Sequence, residues 1–186
     1  IDIAAITHGF QKESRHGFDE TVFLLLTGHL PSTAEIEKFS SIMASMRGLP
    51  DQFTKDMILS MKGKDVLNML ARSVLGLYTL DDRADEITLD NMIKQSLNLI
   101  AKFPSIIAYS YQALRHLYHG KTLSIRHPME NLSTAENFLH LIKGKGSYTQ
   151  LQADLVDLSL VLHAEHGGGN NSTFTMRVTS STETDI

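Results

Sequence analysis

The side chains best suited to chemistry lie close together in residues 162–175, which read LHAEHGGGNNSTFT. His163 and His166 fall where an apolar helical pattern ends, and three consecutive glycines follow them. Glycines in this number let the backbone turn sharply or let a ligand approach it closely. A His at the end of a helix is favoured in its charged form, and free N–H groups at the start of the next helix attract anions. The segment therefore predicts a site for a small carboxylate or keto acid, in which a His polarises a carbonyl and Asn170 orients it.

Two other interpretations of this segment remain open. In the first, the glycines join two helices and the polar side chains only cap the helix ends. In the second, His163 and His166, three residues apart on one helix face, bind a metal together with Glu165 or Asn170. The His-Glu-x-x-His order is absent and two ligands do not complete a zinc site, so we predict no metal.

The remaining polar clusters have simpler interpretations. We expect the following histidines to be solvated, to cap a helix or to lie in turns: His8, His16, His29, His116, His119 and His127. We expect the acidic residues Asp81, Asp82, Asp85 and Glu86 to form a solvated loop, and the eight Met to fill the core.

Apolar residues recur at helical spacing along almost the whole chain, which predicts an all-α, multi-helix globule. Ser32 and Ser133 each begin a capping box, and Asp65 is expected to cap a third helix. We predict one helix that stops before Pro104 and another that ends at Gly120. Residues 121–131 are expected to be a loop, and residues 172–178 the start of one more helix. Between them, a long helix is expected to run into the His/Gly segment, with an apolar stripe of Leu151, Leu155, Leu158 and Leu162. Strands are not expected, because no alternating run is bounded by hairpin turns.

Composition limits what the chain can be. Its 186 residues, 42% hydrophobic and 20% charged, fit one globular domain spanning 1–186. The net charge of −4 and the scattered basic residues argue against a nucleic-acid partner. The longest apolar run, residues 22–26, is too short to cross a membrane. The chain has no Cys, which fits a cytoplasmic location, and it begins with Ile rather than Met, which suggests a processed or excised piece.

Residues 162–175 resemble the "LHA-[DE]-H-x-x-N-x-S-T" motif of the citrate synthase family. Further segments resemble family segments in the same order, so that the resemblance covers the chain. They are residues 2–3 (the end of "YRGYDI"), 18–31 ("FEEVAYLLLxGxLP"), 65–67 ("MDVLR"), 103–109 ("PAIVAYAY") and 132–139 ("LSYAENFL").

The resemblance implies an enzyme that condenses acetyl-CoA with oxaloacetate to give citrate and CoA, without a further cofactor. It implies that His166 and Asn170 contact oxaloacetate and that Ser172 supports a catalytic His found later in family sequences. No catalytic residue is expected in this chain, because the family's Pro-Leu-His-Gly motif, its Asp base and its CoA-binding small domain have no counterpart here. The chain resembles the N-terminal part of the family's large domain, and we expect it to be inactive alone.

The same resemblance leaves related functions open. A 2-methylcitrate synthase, which uses propionyl-CoA, fits the motifs equally well, and a helical module that binds keto acids without chemistry is the alternative of another class. Family members are homodimers, and we expect a partial domain to expose apolar helix faces and to self-associate.

Overall fold

The structure, a computed structural model, describes residues 2–164 and 171–181. These residues form helices and no strand, which confirms the all-α class. The helices are α1 (Ile3–Lys12), α2 (Phe18–Thr27), α3 (Thr33–Ser45), α4 (Asp51–Phe53), α5 (Val66–Leu77), α6 (Leu89–His119), α7 (Thr134–Lys143), α8 (Gln150–Ala164) and α9 (Asn171–Ser180). A π-helical segment, Thr54–Ser60, continues α4, and a 3₁₀ turn, Tyr78–Leu80, continues α5.

The capping residues predicted from the sequence start the helices as expected. Ser32 and Ser133 both form complete capping boxes, with Glu35 and Glu136 closing them. The Asp65 carboxylate accepts hydrogen bonds from the N–H groups of Leu67 and Asn68 at the start of α5. Each box satisfies N–H groups that the helix itself leaves unpaired, so these starting points are fixed by local chemistry.

Helix α6 runs through Pro104 without a break, so the prediction that a helix stops before Pro104 is wrong. Proline lacks an N–H group, and the bond that would reach the carbonyl of Ile100 is lost. Ala101, Ser105 and Ile106 are at most 2% exposed around it. Burial of this central turn against the neighbouring helices offsets the lost bond, and one 31-residue helix results.

The hydrophobic core lies between the π-helical segment, α5, α6 and α7. Its buried members are Phe53, Ile58, Met69, Ile106, Ala108, Tyr109, Ala113 and Leu141. Helix α7 joins this core to α8, which also packs on α2, and α2 in turn packs on α3. Helix α8, which leads to residues 165–170, is therefore held both by α2, near the start of the chain, and by α7, which precedes it.

The apolar stripe predicted for α8 faces outward along much of its length. Leu151, Leu155 and Leu162 are 66%, 54% and 48% exposed, whereas Ala153 and Val161 are buried. Leu158 is half-buried. On α9 the apolar side chains Phe174, Met176 and Val178 are more than half exposed.

Methionines do not all fill the core as predicted. Met43 and Met69 are buried, but Met61, Met92 and Met176 are exposed.

Candidate functional site

Helix α8 carries the predicted site at its C-terminal end. His163 lies in the last turn of α8, exposed to solvent, and its Nδ1 lies 2.7 Å from the carbonyl oxygen of Ser159 one turn earlier. This bond assigns the proton to Nδ1 and leaves Nε2 as an acceptor. His163 can therefore accept a hydrogen bond at the helix end.

Three predicted site residues, Glu165, His166 and Asn170, lie outside the described residues. The contact of His166 and Asn170 with oxaloacetate stays a prediction, and Glu165 is a candidate only as a metal ligand. Ser172 lies in the first turn of α9, where its side chain is exposed. The structure thus places His163 and Ser172 on the two helices that flank residues 165–170, as the sequence predicts.

Asp157 anchors the middle of α8 to the start of α2. Its carboxylate is 5% exposed and accepts hydrogen bonds from the N–H groups of Gly17, at 2.6 Å, and Phe18, at 3.2 Å. Gly17 has no side chain to cap α2, so Asp157 supplies the cap from a distant part of the chain. Burial raises the pKa of Asp157, although the two N–H donors favour its charged form.

His16 links the connection between α1 and α2 to α7 and α8. Its Nδ1 lies 2.7 Å from the Ser133 hydroxyl, and its Nε2 lies 3.0 Å from a carboxylate oxygen of Asp154. A hydrogen bond from Gln150 and the contact with His16 lower the pKa of Asp154. We expected His16 to be a turn or surface residue; it lies in the irregular connection between α1 and α2, where it is half-buried and joins two helices.

Arg47 is a buried cation that ties the loop before α7 to the end of α3. It is 2% exposed, and its Nη1 donates to the carbonyl oxygens of Met129, at 3.0 Å, and Leu132, at 2.7 Å. Its Nη2 donates to Thr134, whose hydroxyl in turn donates to Asp19. Burial lowers the pKa of Arg47, and nearby carboxylates, Asp19 first among them, oppose that shift.

These groups line a cleft of about 780 Å³ between α2, α3 and the start of α7. Both cationic and acidic side chains line it, and Asp157, His16 and Arg47 are hydrogen-bonded to other parts of the protein. Their chemistry here is to hold α2, α7 and α8 in register. Little in the sequence points to this network. One signal is that Gly17, just before α2, has no side chain to cap the helix, so that a partner from elsewhere is needed.

The other polar residues take the structural roles expected of them. His116 Nδ1 lies 2.8 Å from the carbonyl oxygen of Lys121, just past the end of α6. Two acidic residues of the segment 81–86 accept hydrogen bonds from nearby groups. Asp81 accepts from the backbone N–H of Arg83 and from the Gln95 side chain, and Asp85 accepts from the Tyr78 hydroxyl. Among the described residues no group of three or more His, Asp or Glu side chains is placed to hold a metal ion.

Membrane-spanning helices are also absent from residues 2–164 and 171–181, where no helix combines the length and apolarity that a bilayer requires.

The chain is similar in sequence to known proteins. The family model described as "Citrate synthase, C-terminal domain" matches residues 1–186. A citrate synthase of Deinococcus radiodurans is 37% identical over 169 residues, which are 91% of this chain and 43% of that protein. A 2-methylcitrate synthase of Shewanella oneidensis is 32% identical over 169 residues, 91% of this chain and 42% of that protein. The chain spans less than half the length of these relatives.

Solved structures share the fold. Citrate synthase from Pyrobaculum aerophilum superposes with a TM-score of 0.79 at 24% identity, over 98% of this chain and 44% of that one. A ternary complex of the Thermoplasma acidophilum citrate synthase with carboxymethyl coenzyme A and oxaloacetate superposes with a TM-score of 0.80 at 19% identity, over 96% of this chain and 44% of that one. The fold, the ordered motifs and a family-model match that covers residues 1–186 agree. The chain belongs to the citrate synthase family.

Proposed function

We propose that this chain carries the oxaloacetate-binding part of a citrate synthase-type acyltransferase, which condenses acetyl-CoA with oxaloacetate to give citrate and CoA. The observation that carries the proposal is the placement of the family motif at the junction of α8 and α9. His163 lies in the last turn of α8 and Ser172 in the first turn of α9, and the motif residues His166 and Asn170 lie between them in the sequence.

The anchoring of α8 supports this role. A binding site must hold its groups in fixed geometry, and sites on supported helices do so better than sites on loops. Asp157 and Asp154 attach α8 to the start of α2 and to His16, while α7 packs along it. Residues 165–170 therefore leave from a helix that is fixed at several points.

In this proposal His166 binds oxaloacetate and Asn170 orients it, while Ser172 acts as a supporting residue. A protonated or N–H-bearing imidazole can hydrogen-bond the keto oxygen and draw charge onto it, and an amide can bond a carboxylate or carbonyl. No metal or resident cofactor is needed for this task, because both substrates bring their own reacting groups.

A second acyl donor is equally compatible with the relatives. The Shewanella oneidensis protein, 32% identical, is a 2-methylcitrate synthase. We therefore propose propionyl-CoA as the alternative to acetyl-CoA.

Isothermal titration of the 186-residue chain with oxaloacetate tests the binding proposal. We expect one-to-one binding that His166→Ala or Asn170→Ala weakens at least about tenfold, since each removes a hydrogen bond to a charged or polarised ligand. His163→Ala is the matched control, because it removes an imidazole three residues away and should leave the affinity nearly unchanged. Equal losses in all three variants, or no binding at all, would overturn the proposal.

The chain alone should not release CoA from acetyl-CoA and oxaloacetate. The resemblance assigns the catalytic His and the Asp base to motifs that these 186 residues do not contain. A thiol-release assay measures this cleanly, because the chain has no Cys and gives no background. Turnover above the uncatalysed rate would contradict this part of the proposal.

We also propose that two copies associate through the exposed faces of α8 and α9. Leu151, Leu155 and Leu162 lie on one face of α8, and Phe174 and Val178 are exposed on α9. Apolar patches of this kind on a soluble chain mark interaction surfaces.

A further inference from the structure

The C-terminal ends of α6 and α7 meet at a groove whose charged lining is entirely cationic. The groove has a volume of about 770 Å³. Four positively charged side chains line it, Arg115, Lys121, Arg126 and Lys143, and no Asp or Glu does. We call this surface the basic groove. It contrasts with the chain as a whole, which carries a net charge of −4.

Among the residues that the structure describes, no carboxylate pairs with the cations of the basic groove. Within the described residues, the ion pairs involve Arg15, His16 and Arg83 only. Arg115 lies over the Tyr111 ring, 5.6 Å from its centroid, and Lys143 donates to the Gln152 side chain. Unpaired charges gathered in a concave surface create a strong local positive potential.

Arg126 is held in place with part of its guanidinium unused. Its Nη1 donates to the carbonyl oxygens of Leu141 and Ile142, and the Tyr109 hydroxyl fixes its backbone oxygen. A Cβ on Gly144 would lie 3.2 Å from its Nε, so the guanidinium rests against a position that has no side chain. In the part of the chain that the structure describes, its Nε and Nη2 have no acceptor.

Helix capping explains only part of this arrangement. Cations are favoured near helix C-termini, and Arg126 Nη1 satisfies two of the last carbonyls of α7. Capping does not require Arg115 and Lys121 to converge on the same groove from α6 and the following loop. The hydroxyls of Thr122, Ser124 and Ser147 add further donors around it.

We propose that the basic groove binds a polyphosphate group, either free or carried on a nucleotide. Guanidinium groups match phosphate oxygens in pairs, and lysines neutralise the remaining charge. Four cations suit a ligand with three or more negative charges, and the surrounding hydroxyls suit its many oxygen acceptors. None of the groove's lining residues belongs to α8 or α9, and the proposal does not depend on the function proposed for their junction.

Calorimetric titration with inorganic tripolyphosphate at fixed ionic strength tests the proposal. We expect saturable one-to-one binding, with orthophosphate at least about tenfold weaker because it carries fewer charges. Comparable binding of ATP would assign the groove to nucleotide-borne polyphosphate, and rejection of ATP would assign it to free polyphosphate. Absence of saturable tripolyphosphate binding would overturn the proposal.

Variants locate the binding. Arg115→Ala and Lys121→Ala each remove one groove charge from a side chain that carries no hydrogen bond of the fold, and each should weaken binding about tenfold. Arg72→Ala is the matched control, since it removes an equal charge from α5, where the Nε of Arg72 donates to Asn68. Circular dichroism checks that each variant is folded. An equal loss in Arg72→Ala would show that the anion responds to overall charge, and the groove would not be the site.

Discussion

Asp157 caps a helix that begins 139 residues earlier in the chain, and this one carboxylate connects the site-bearing helix to the N-terminal part of the fold. Its two bonds satisfy N–H groups of Gly17 and Phe18 that α2 cannot satisfy internally. Burial of the carboxylate raises its pKa in spite of these two bonds. Removing the side chain would still leave both N–H groups without an acceptor, which is the larger cost to the fold.

Asp157→Ala should lower the free energy of unfolding by about 2 kcal/mol, since it removes a helix cap and leaves buried N–H groups without an acceptor. Urea unfolding followed by circular dichroism measures the change. Asp154→Ala, three residues earlier on α8, is the control: its side chain is 53% exposed, and its loss should cost at most about 1 kcal/mol. Equal effects of the two substitutions would show that Asp157 is not the main anchor of α8.

The two acids should also respond to pH in opposite directions. Burial raises the pKa of Asp157 above its ordinary 3.8, so the folded state binds its proton more tightly than the unfolded state does. The contribution of Asp157 to the free energy of unfolding is therefore greatest at low pH, and it decreases as the pH rises through the raised pKa. The difference in unfolding free energy between the chain and Asp157→Asn should therefore shrink as the pH rises from about 4 to 7.

The pKa of Asp154 is lowered, so the folded state favours its charged form. The difference in unfolding free energy between the chain and Asp154→Asn should therefore grow as the pH rises from below 3.8. Urea titrations at several pH values measure both trends. A difference for Asp157→Asn that grows with pH would show that its hydrogen bonds, rather than burial, control its titration.

At the scale of the helices, local capping signals were predictive and burial was not. Ser32, Ser133 and Asp65 mark helix starts because their side chains bond N–H groups two or three residues away, which the sequence shows directly. Pro104 led to a wrong helix end because whether a proline breaks a helix depends on the packing around it. Its neighbour Ile106 is fully buried, and it becomes so only when α5 and α7 pack around α6. The leucines of α8 predicted the helix correctly, but periodicity does not say which side of a helix is covered.

Gly144 ends α7 with a backbone conformation that other residues adopt only under strain. Its φ is +101°, and a Cβ there would press on the Arg126 guanidinium. Gly144→Ala should therefore lower the free energy of unfolding by about 2 kcal/mol. Gly48→Ala is the control, because its φ is not positive and a Cβ there meets nothing within 4 Å. Thermal melting compares them, and a Gly144→Ala variant as stable as Gly48→Ala would contradict the strain.

At the scale of the whole molecule, the exposed faces of α8 and α9 should govern association. Leu155→Glu places a charge in the middle of the apolar face of α8 and should shift the chain from dimer toward monomer. Leu30→Glu is the control, since Leu30 is similarly exposed, at 57% against 54%, but lies between α2 and α3. Light scattering after size exclusion reports the mass. A monomeric parent chain, or equal dissociation in both variants, would contradict association through α8.

The fold and the family were accessible from the sequence, whereas the network that supports the site was not. The His/Gly segment concentrates its chemistry in fourteen consecutive residues, so its type and spacing are visible in the sequence. The bonds of Asp157 and His16 join residues more than a hundred positions apart, and only the packed helices bring them together.

The claim that the α8–α9 junction binds oxaloacetate is tested most directly by imidazole ¹⁵N–¹H spectra of the nine histidines during an oxaloacetate titration. His166→Ala and His163→Ala spectra assign the two signals that matter. We predict a saturable shift of the His166 ring nitrogens, with His163 changing far less. Spectra in which His166 does not respond, while oxaloacetate is in large excess, would contradict the account.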